Sequence, residues 1–431
     1  MPFELSKSPL ALSPMPLLSL QPRAVSGVEY YHAGVGSHPR VFENVRNVLF
    51  AFEGDLVGDW DEPSLQAALN LVTTVHPVLR MRWTGVLGWS KWSFDGPPPE
   101  VRRIHNWDWD FSDGSTIQPL LETPSTLRTG PAAEVWISKK ANGRGLIALK
   151  SHHAVMDGMG GLLLLQELFR ALRGEPLQGS NVTFTDSDLM LAVMKQNALT
   201  LPKKSKTPPP SILAISEARP PKNNSLPDVW KTNSIGQPCG NLTGRISAAL
   251  AAYAFEHNPM TGQVVVAMPV DLRRYVPGAS TASNLTGMVH VKLHAGEDAE
   301  VFREKLKVEL GNHSEVTAAP LFNVVKWLPL RWIARMVGRT RLFDPKRKRV
   351  ETVVISNLGQ VDMRLYSTAY FKADHASFAP PGGNCFCVLY SVQDRVYANL
   401  SVAADLGGEG TVNQLFECLK RALQDPMRSG F

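Results

Sequence analysis

Segments patterned like strands and segments patterned like helices alternate along both halves of this chain. In the first half, NVLFAFEG (47–54) alternates like a strand, and the segment from residue 61 has helical periodicity up to Pro77. In the second half, GRISAALAAYAF predicts a helix and GQVVVAMPVDLRR predicts a strand. A segment rich in Pro, Lys and Asn (201–230) lies between the halves. This order predicts the α/β (α+β) fold class.

The length of the chain predicts more than one core. Its 431 residues exceed the usual size of a single hydrophobic core. We therefore expect an N-terminal lobe over residues 1–180, a crossover linker over 181–235 and a C-terminal lobe over 236–431.

The segment LIALKSHHAVMDGMGGLLLL (146–165) combines an apolar run with polar groups suited to chemistry. His152 and His153 follow a strand-like run, and Asp157 and Gly158 precede a leucine-rich segment of helical length that stops before Gly174. Adjacent residues of a strand point to opposite faces, so only one histidine easily faces a given cavity. That histidine could be a general base. Alternatively, both histidines are hydrogen-bonded core residues and Asp157 is a helix cap.

The pattern His-His, three residues, Asp-Gly resembles the HHxxxDG signature of the CoA-dependent acyltransferase superfamily. This superfamily includes condensation domains of nonribosomal peptide synthesis, polyketide-associated acyltransferases, plant BAHD acyltransferases and wax-ester/diacylglycerol synthases. Four further segments resemble the family in the same order: HPVLRMRW (76–83), VAMPVDLRR (266–274), SNLTGMV (283–289) and VVISNLGQVD (353–362). The DFGWG motif of the BAHD enzymes and the Asn-Asp pair of the wax-ester synthases are absent, which argues against those two branches.

The resemblance implies two chloramphenicol-acetyltransferase-like lobes in a V with a central tunnel. It implies that His153 takes a proton from the acceptor, and that His152 is a structural residue near the site. Asp157 is implied to pair with an arginine of the second lobe, for which we favour Arg273 over Arg274.

Three more residues receive roles from the resemblance. Gly158 is implied to let the backbone approach the reacting centre, and its amide to stabilise an oxyanion. We therefore predict His153, Asp157 and Gly158 as catalytic residues. Ser356 and Asn357 are implied to contact substrate, and their alternative role is a turn at a strand end.

The predicted function is transfer of an acyl group from a CoA or carrier-protein thioester to a small alcohol or amine, forming an ester or amide. We expect no cofactor besides the thioester donor. A catalytically silent relative that binds a carrier protein or a metabolite is the alternative. A metal hydrolase is a third hypothesis, but adjacent histidines on one strand bind one ion poorly, so we expect no metal site.

Basic residues raise the possibility of an anionic partner. The net charge is +6, and residues 322–349 combine tryptophans with arginines and the run Lys346 to Arg349. A carrier protein, the phosphates of CoA, a peripheral membrane contact and an ordinary solvated surface all fit this stretch. Nucleic acid is not expected, because no recognised nucleic-acid motif accompanies the charge.

The remaining sequence features favour a cytoplasmic monomer. No uninterrupted run of about 18 apolar residues and no secretory signal is recognisable. The four cysteines form no CxxC pair, which suits a reducing compartment. We also expect a stand-alone protein, because no adenylation, carrier or thioesterase segment is evident.

Overall fold

The computed structural model describes residues 21–35, 46–105, 107, 109–112, 114, 117, 120–121, 123, 125–201, 210–217, 229–258, 260–334, 350–380, 385–403 and 406–424. Its strands are β1 (Arg23–Ala24), β2 (Asn47–Leu56), β3 (Arg82–Thr84), β4 (Lys91–Ser93), β5 (Val101–Arg103), β6 (Ala133–Lys139), β7 (Arg144–His152), β8 (Val229–Gly236), β9 (Val264–Asp271), β10 (Thr286–Leu293), β11 (Val353–Gln360), β12 (Phe371–Ala379), β13 (Cys385–Val392) and β14 (Arg395–Val402). Its helices are α1 (Gly27–Gly34), α2 (Glu62–Val75), α3 (Gly158–Leu172), α4 (Asp186–Gln196), α5 (Leu242–Glu256), α6 (Ala299–Gly311), α7 (Ala319–Val325) and α8 (Gly408–Gln424).

The first sheet has five strands in the order β12-β2-β7-β6-β5. Helices α2 and α3 pack on one face, and the loop that follows β5 covers the other with Trp107, Trp109 and Phe111. Because both faces are covered, β7 is buried from Gly145 to its end, which is why its sequence is almost continuously apolar. The turn at Asn142 and Gly143 joins β6 to β7 as an antiparallel pair, which the strand-like runs AAEVWISKK (132–140) and GRGLIALKSHH (143–153) on either side of these turn residues predict.

The second sheet has six strands in the order β10-β9-β11-β13-β14-β8. Helices α5 and α8 contribute to the core on one face. On the other face, Val388 and Tyr390 of β13 belong to the core of the first sheet. The two sheets therefore share packed side chains, and the predicted α/β class is confirmed.

Helix boundaries follow local chemistry. The carboxylate of Asp61 caps α2 by accepting the Ser64 N–H, and the helix ends at Val75, just before Pro77 as predicted. At the N-terminus of α1, Ser26 and Glu29 form a reciprocal capping box.

One strand crosses the predicted division into lobes. Strand β12 lies in the second half of the sequence but pairs antiparallel with β2 of the first sheet. Residues 181–235, predicted as the crossover linker, contain α4 and most of β8, which pairs with β14. The capping box of Thr185 and Asp188 is a local sequence signal from which the start of α4 could have been predicted.

None of the helices in the parts of the chain that the structure describes is long and apolar enough to span a bilayer.

Candidate active site

The HHxxxDG residues lie where β7 ends and α3 begins. Strands β2 and β6 hold the end of β7 from both sides, with Asn47 opposite His152 and Ala133 opposite Ser151. The loop that follows is compact, since the His152 carbonyl accepts the N–H of Val155 at 2.9 Å. This places the motif at a rigid strand end.

The ring of His153 is held in one tautomer. Its Nδ1 lies 3.0 Å from the carbonyl oxygen of Met156. A carbonyl oxygen only accepts, so Nδ1 carries the proton and Nε2 presents its lone pair. Burial and, after it, the positive charge of Arg46 lower the pKa of His153 to about 4. At neutral pH the ring is therefore uncharged and in a state that can accept a proton at Nε2.

His152 makes a different set of contacts. Its side chain is fully buried, and its Nδ1 accepts the N–H of Ala154 at 2.9 Å. Burial, with smaller contributions from the charges of His153 and Arg46, lowers the pKa of His152 to about 3. The ring braces the loop that carries its neighbour.

Asp157 and Arg273 connect the two halves of the chain. The Nη1 of Arg273 lies 3.1 Å from Asp157 Oδ2, and its Nη2 lies 3.2 Å from Oδ1, which makes a bidentate pair. Arg273 also donates to the Thr281 and Ser283 carbonyls at 3.0 and 2.8 Å. Of the two candidate arginines, Arg274 is directed elsewhere, to Glu315.

Asp157 receives three further hydrogen bonds. Its carboxylate caps α3 by accepting the Gly160 N–H at 2.7 Å, and accepts the Leu285 N–H and the Thr286 hydroxyl at 2.8 and 2.9 Å. Burial alone would raise the pKa of Asp157, but the charge of Arg273 and these hydrogen bonds outweigh it and hold the pKa below its ordinary value. Both carboxylate oxygens are engaged by the protein, so the arrangement suits a structural link better than proton transfer.

The glycines at the start of α3 allow close packing. A Cβ at Gly160 would lie 2.2 Å from the carbonyl oxygen of Ala282, so backbone from the second half approaches α3 to a distance that only glycine permits. At Gly158, a Cβ would lie 3.0 Å from Cδ2 of Leu358 on β11. The end of β11 thus reaches the motif.

Ser356 and Asn357 lie on β11 before that contact. Ser356 is half-buried and Asn357 is exposed. The Asn357 side chain accepts the N–H of Gly359 at 2.9 Å and donates to the hydroxyl of Thr243 at 3.1 Å. The pairing of β11 with β13 shifts register between Asn357 and Gln360, so the contact with Gly359 lies at an irregularity of the strand. A role in substrate binding stays a prediction for both residues.

Sequence reasoning missed two residues beside His153. The ring of His32, on α1, is stacked on the His153 ring with centroids 4.1 Å apart. Arg46 donates from Nε to His32 Nδ1 at 3.0 Å, and its carbonyl accepts the His153 N–H at 2.8 Å. The capping box of α1 marked a helix start, but no local pattern linked that helix to the motif.

Asn284 belongs to the segment SNLTGMV, and the sequence alone predicts no role for it. Its side-chain amide donates to the His153 carbonyl at 2.8 Å. The segment after β9 therefore contacts the loop that carries His153 as well as Asp157.

Two other predictions concern metal and surface charge. Within the ranges that the structure describes, no group of three or more His, Cys, Asp or Glu side chains is arranged to hold a metal ion. The basic run Lys346 to Arg349 lies outside the described residues.

The fold matches a known class of protein: it is the two-lobed fold of condensation domains. The starter condensation domain of rhizomide synthetase RzmA superposes with a TM-score of 0.61 at 12% identity, covering 94% of this chain and 97% of that one. A double mutant of the same domain, in complex with C8-CoA and Leu-SNAC, gives a TM-score of 0.65 at 13% identity, covering 94% and 95% of the two chains. The condensation domain of the Monacolin K polyketide synthase MokA gives 0.63 at 12% identity, covering 95% and 98%.

Comparison of sequences adds a short match. Over 121 residues, this chain is 28% identical to nonribosomal peptide synthetase 5 of Gibberella zeae. The match covers 28% of this chain and 1% of that protein. No family model matches the chain. The predicted fold of two chloramphenicol-acetyltransferase-like lobes is thus confirmed.

Proposed function

We propose that this protein is an acyltransferase that moves an acyl group from a CoA or carrier-protein thioester to an alcohol or amine. The observation that carries the proposal is the state of His153, an uncharged ring whose Nδ1–H is bound to Met156 and whose Nε2 can accept a proton. The condensation-domain fold supports the same class of chemistry.

The reaction needs one base that also acts as an acid. Nε2 of His153 takes the proton of the acceptor hydroxyl or amine as the acceptor oxygen or nitrogen bonds to the thioester carbonyl carbon. The tetrahedral intermediate then collapses, the carbon–sulfur bond breaks, and the imidazolium returns the proton to the thiolate. The products are the ester or amide and a free thiol, and no covalent enzyme intermediate forms.

The other motif residues act through position. Asp157, whose oxygens are occupied by Arg273 and backbone donors, holds the two halves together around the base. Gly158 is the first residue of α3. We assign to its N–H the stabilisation of the oxyanion, because a helix N-terminus favours negative charge. The proposal includes a substrate tunnel between the two lobes, where donor and acceptor meet.

A direct test is mass spectrometry of the purified protein incubated with paired donors and acceptors. Because one structural neighbour was crystallised with C8-CoA and Leu-SNAC, this pair comes first, followed by other acyl-CoA and acyl-carrier donors with alcohols and amines. The expected result is a new ester or amide that appears with the wild-type protein and is strongly reduced with His153→Ala.

The outcome also decides the alternative role. Binding of a donor or carrier without product across the panel, with unchanged thioester, would reject the acyltransferase and favour a catalytically silent binding protein. Equal product with the wild type and with a folded His153→Ala variant would reject His153 as the base.

A further inference from the structure

We propose that His32 is a positioning residue for His153: its ring is a platform that holds the base with Nε2 directed toward the substrate. The inference rests on the proposed function and adds a residue from α1 to the site. The rings are nearly parallel, with an interplanar angle of 29° and centroids 4.1 Å apart. This contact limits rotation of the His153 side chain.

The protonation of His32 follows from its partner. The guanidinium of Arg46 has only donors. His32 Nδ1, which lies 3.0 Å from Arg46 Nε, therefore accepts and carries no proton. His32 is therefore the uncharged tautomer with its proton on Nε2. Burial first, and then the charges of His153 and Arg46, hold the pKa of His32 well below its ordinary value.

Arg46 fixes both rings at once. Its side chain orients His32, and its backbone carbonyl accepts the N–H of His153 at 2.8 Å. Met156 holds the opposite side of the His153 ring at Nδ1. With Nδ1 bound and one face covered, the free atom of the ring is Nε2.

The platform is itself anchored. On α1, Glu29 accepts from Arg23 at 2.9 Å and from the Trp92 indole N–H at 3.0 Å, and the Tyr30 hydroxyl donates to the Leu328 carbonyl at 2.8 Å. The neighbouring Tyr31 ring contacts Phe322 of α7. These contacts hold α1 in place in addition to the contact of His32 with Arg46.

The charged and titratable groups that face the His153 ring in the described structure come from four segments. They are His32 from α1, Arg46 before β2, His152 at the end of β7 and Asp157 at the start of α3. Of these four, His32 is the residue whose ring is stacked on the His153 ring, so its removal should change tautomer and solvent access with the other three in place.

Two variants separate the ring from the hydrogen bond. His32→Phe keeps a flat ring and removes the acceptor for Arg46, whereas His32→Gln keeps an acceptor and removes the ring. The readout is the nitrogen chemical shifts of ¹⁵N-histidine-labelled protein over a pH series, with the His153 signals assigned by their loss in His153→Gln. His257→Ala, which removes a ring stacked on Tyr253 at 3.9 Å, is the matched control.

In the wild type we expect His153 signals of a single tautomer with protonated Nδ1. His32→Phe should keep this tautomer, and the control should match the wild type. His32→Gln should give a mixture of tautomers and a His153 titration midpoint that moves from about 4 toward 6.5. With an active donor and acceptor, kcat of His32→Gln should fall about two- to tenfold, the range that an aromatic pair supports, at unchanged KM.

A single unchanged tautomer in His32→Gln would overturn the proposal, as would equal disturbance by His32→Phe and His32→Gln. The spectra need no turnover. A tautomer that depends on His32 in a protein without transfer activity would therefore reject the proposed function and leave the platform standing.

Discussion

His153 combines a low proton affinity with a fixed orientation. With a pKa of about 4, the imidazole is a weaker base than free histidine but is uncharged throughout the neutral range. Its catalytic value then comes from placement, because proton transfer depends on geometry before it depends on pKa.

We expect His153→Ala to lower the transfer rate by about a hundredfold or more, the usual scale for loss of a general base, while the protein stays folded. The measurement is steady-state kinetics beside circular dichroism. His152→Ala is the comparison and should first lose stability, because His152 is fully buried and braces the loop. Near-normal turnover of folded His153→Ala would contradict the assignment.

The two histidines also make stability depend on pH. Their pKa values of about 3 and about 4 in the folded protein lie below the ordinary 6.5, so the unfolded chain binds protons that the folded chain does not. The free energy of unfolding should therefore fall as pH is lowered from 6.5 to about 4. Urea unfolding at several pH values measures the slope. His153→Gln should reduce it by up to about 1.4 kcal/mol per pH unit, one proton's worth, and an unchanged slope would contradict the shift.

At the residue scale, the sequence predicts which residues form the site better than it predicts their protonation states. The motif identified His153 and Asp157 because their spacing is local. The tautomer of His153 follows from its contact with Met156. Arg46 and His32, which contact the backbone and the ring of His153, come from segments that meet the loop only in the folded chain.

At the scale of elements, α3 depends on a cap that belongs to both halves of the molecule. Asp157 caps the helix through Gly160 and also binds Arg273, Leu285 and Thr286. The cap and the link between the halves are thus the same carboxylate.

Asp157→Ala should lower the free energy of unfolding by about 3–5 kcal/mol, since it removes the buried partner of Arg273 and leaves the Leu285 N–H and the Thr286 hydroxyl without their acceptor. Arg273 keeps its second acidic partner, Asp271, at 2.9 Å. Asp61→Ala is the matched control, because Asp61 caps α2 through the Ser64 N–H but is exposed. We expect the control to lose much less, as a helix cap alone is a smaller contribution. Chemical denaturation of both variants measures the difference, and equal losses would mean that the ion pair adds nothing.

Elements with local signals were predicted and those made by distant pairing were not. The end of α2 before Pro77 and the β6–β7 turn at Gly143 follow from the nearby sequence. The pairing of β1 with β4 and that of β12 with β2 join residues far apart in the chain, which no local periodicity encodes.

At the scale of the molecule, the two sheets form one packed unit. The ring of Phe378 on β12 contacts that of Tyr390 on β13 at 4.6 Å, and the Tyr390 hydroxyl donates to the Ala376 carbonyl at 2.7 Å. Together with the pair of Asp157 and Arg273, these contacts set the separation of the halves around the base.

Long-range charge should act on donor binding and not on chemistry. Replacing Lys346, Arg347, Lys348 and Arg349 with Ala is expected to raise the donor KM and flatten its salt dependence, because exposed charges are screened within about 10 Å at 0.1 M salt. The kcat should stay nearly constant. Initial rates at low and high salt measure this. Ala at Arg303, Lys305 and Lys307 of α6 and at Lys420 of α8 removes the same four charges and controls for net charge. An unchanged donor KM at low salt would make the run ordinary surface charge.

Because β12 comes from the second half of the sequence but pairs with β2 of the first sheet, it matters where the protein is truncated. A fragment that ends at residue 228 keeps the HHxxxDG motif but lacks β12, so the backbone donors and acceptors along one side of β2 have no partner. We expect this fragment to aggregate when produced alone, and to remain dispersed when residues 229–431 are co-produced. Light scattering and size-exclusion chromatography distinguish the two cases, and a folded monomeric fragment would contradict the expectation. The HHxxxDG motif and the strand that pairs with the edge of its sheet must therefore be produced together.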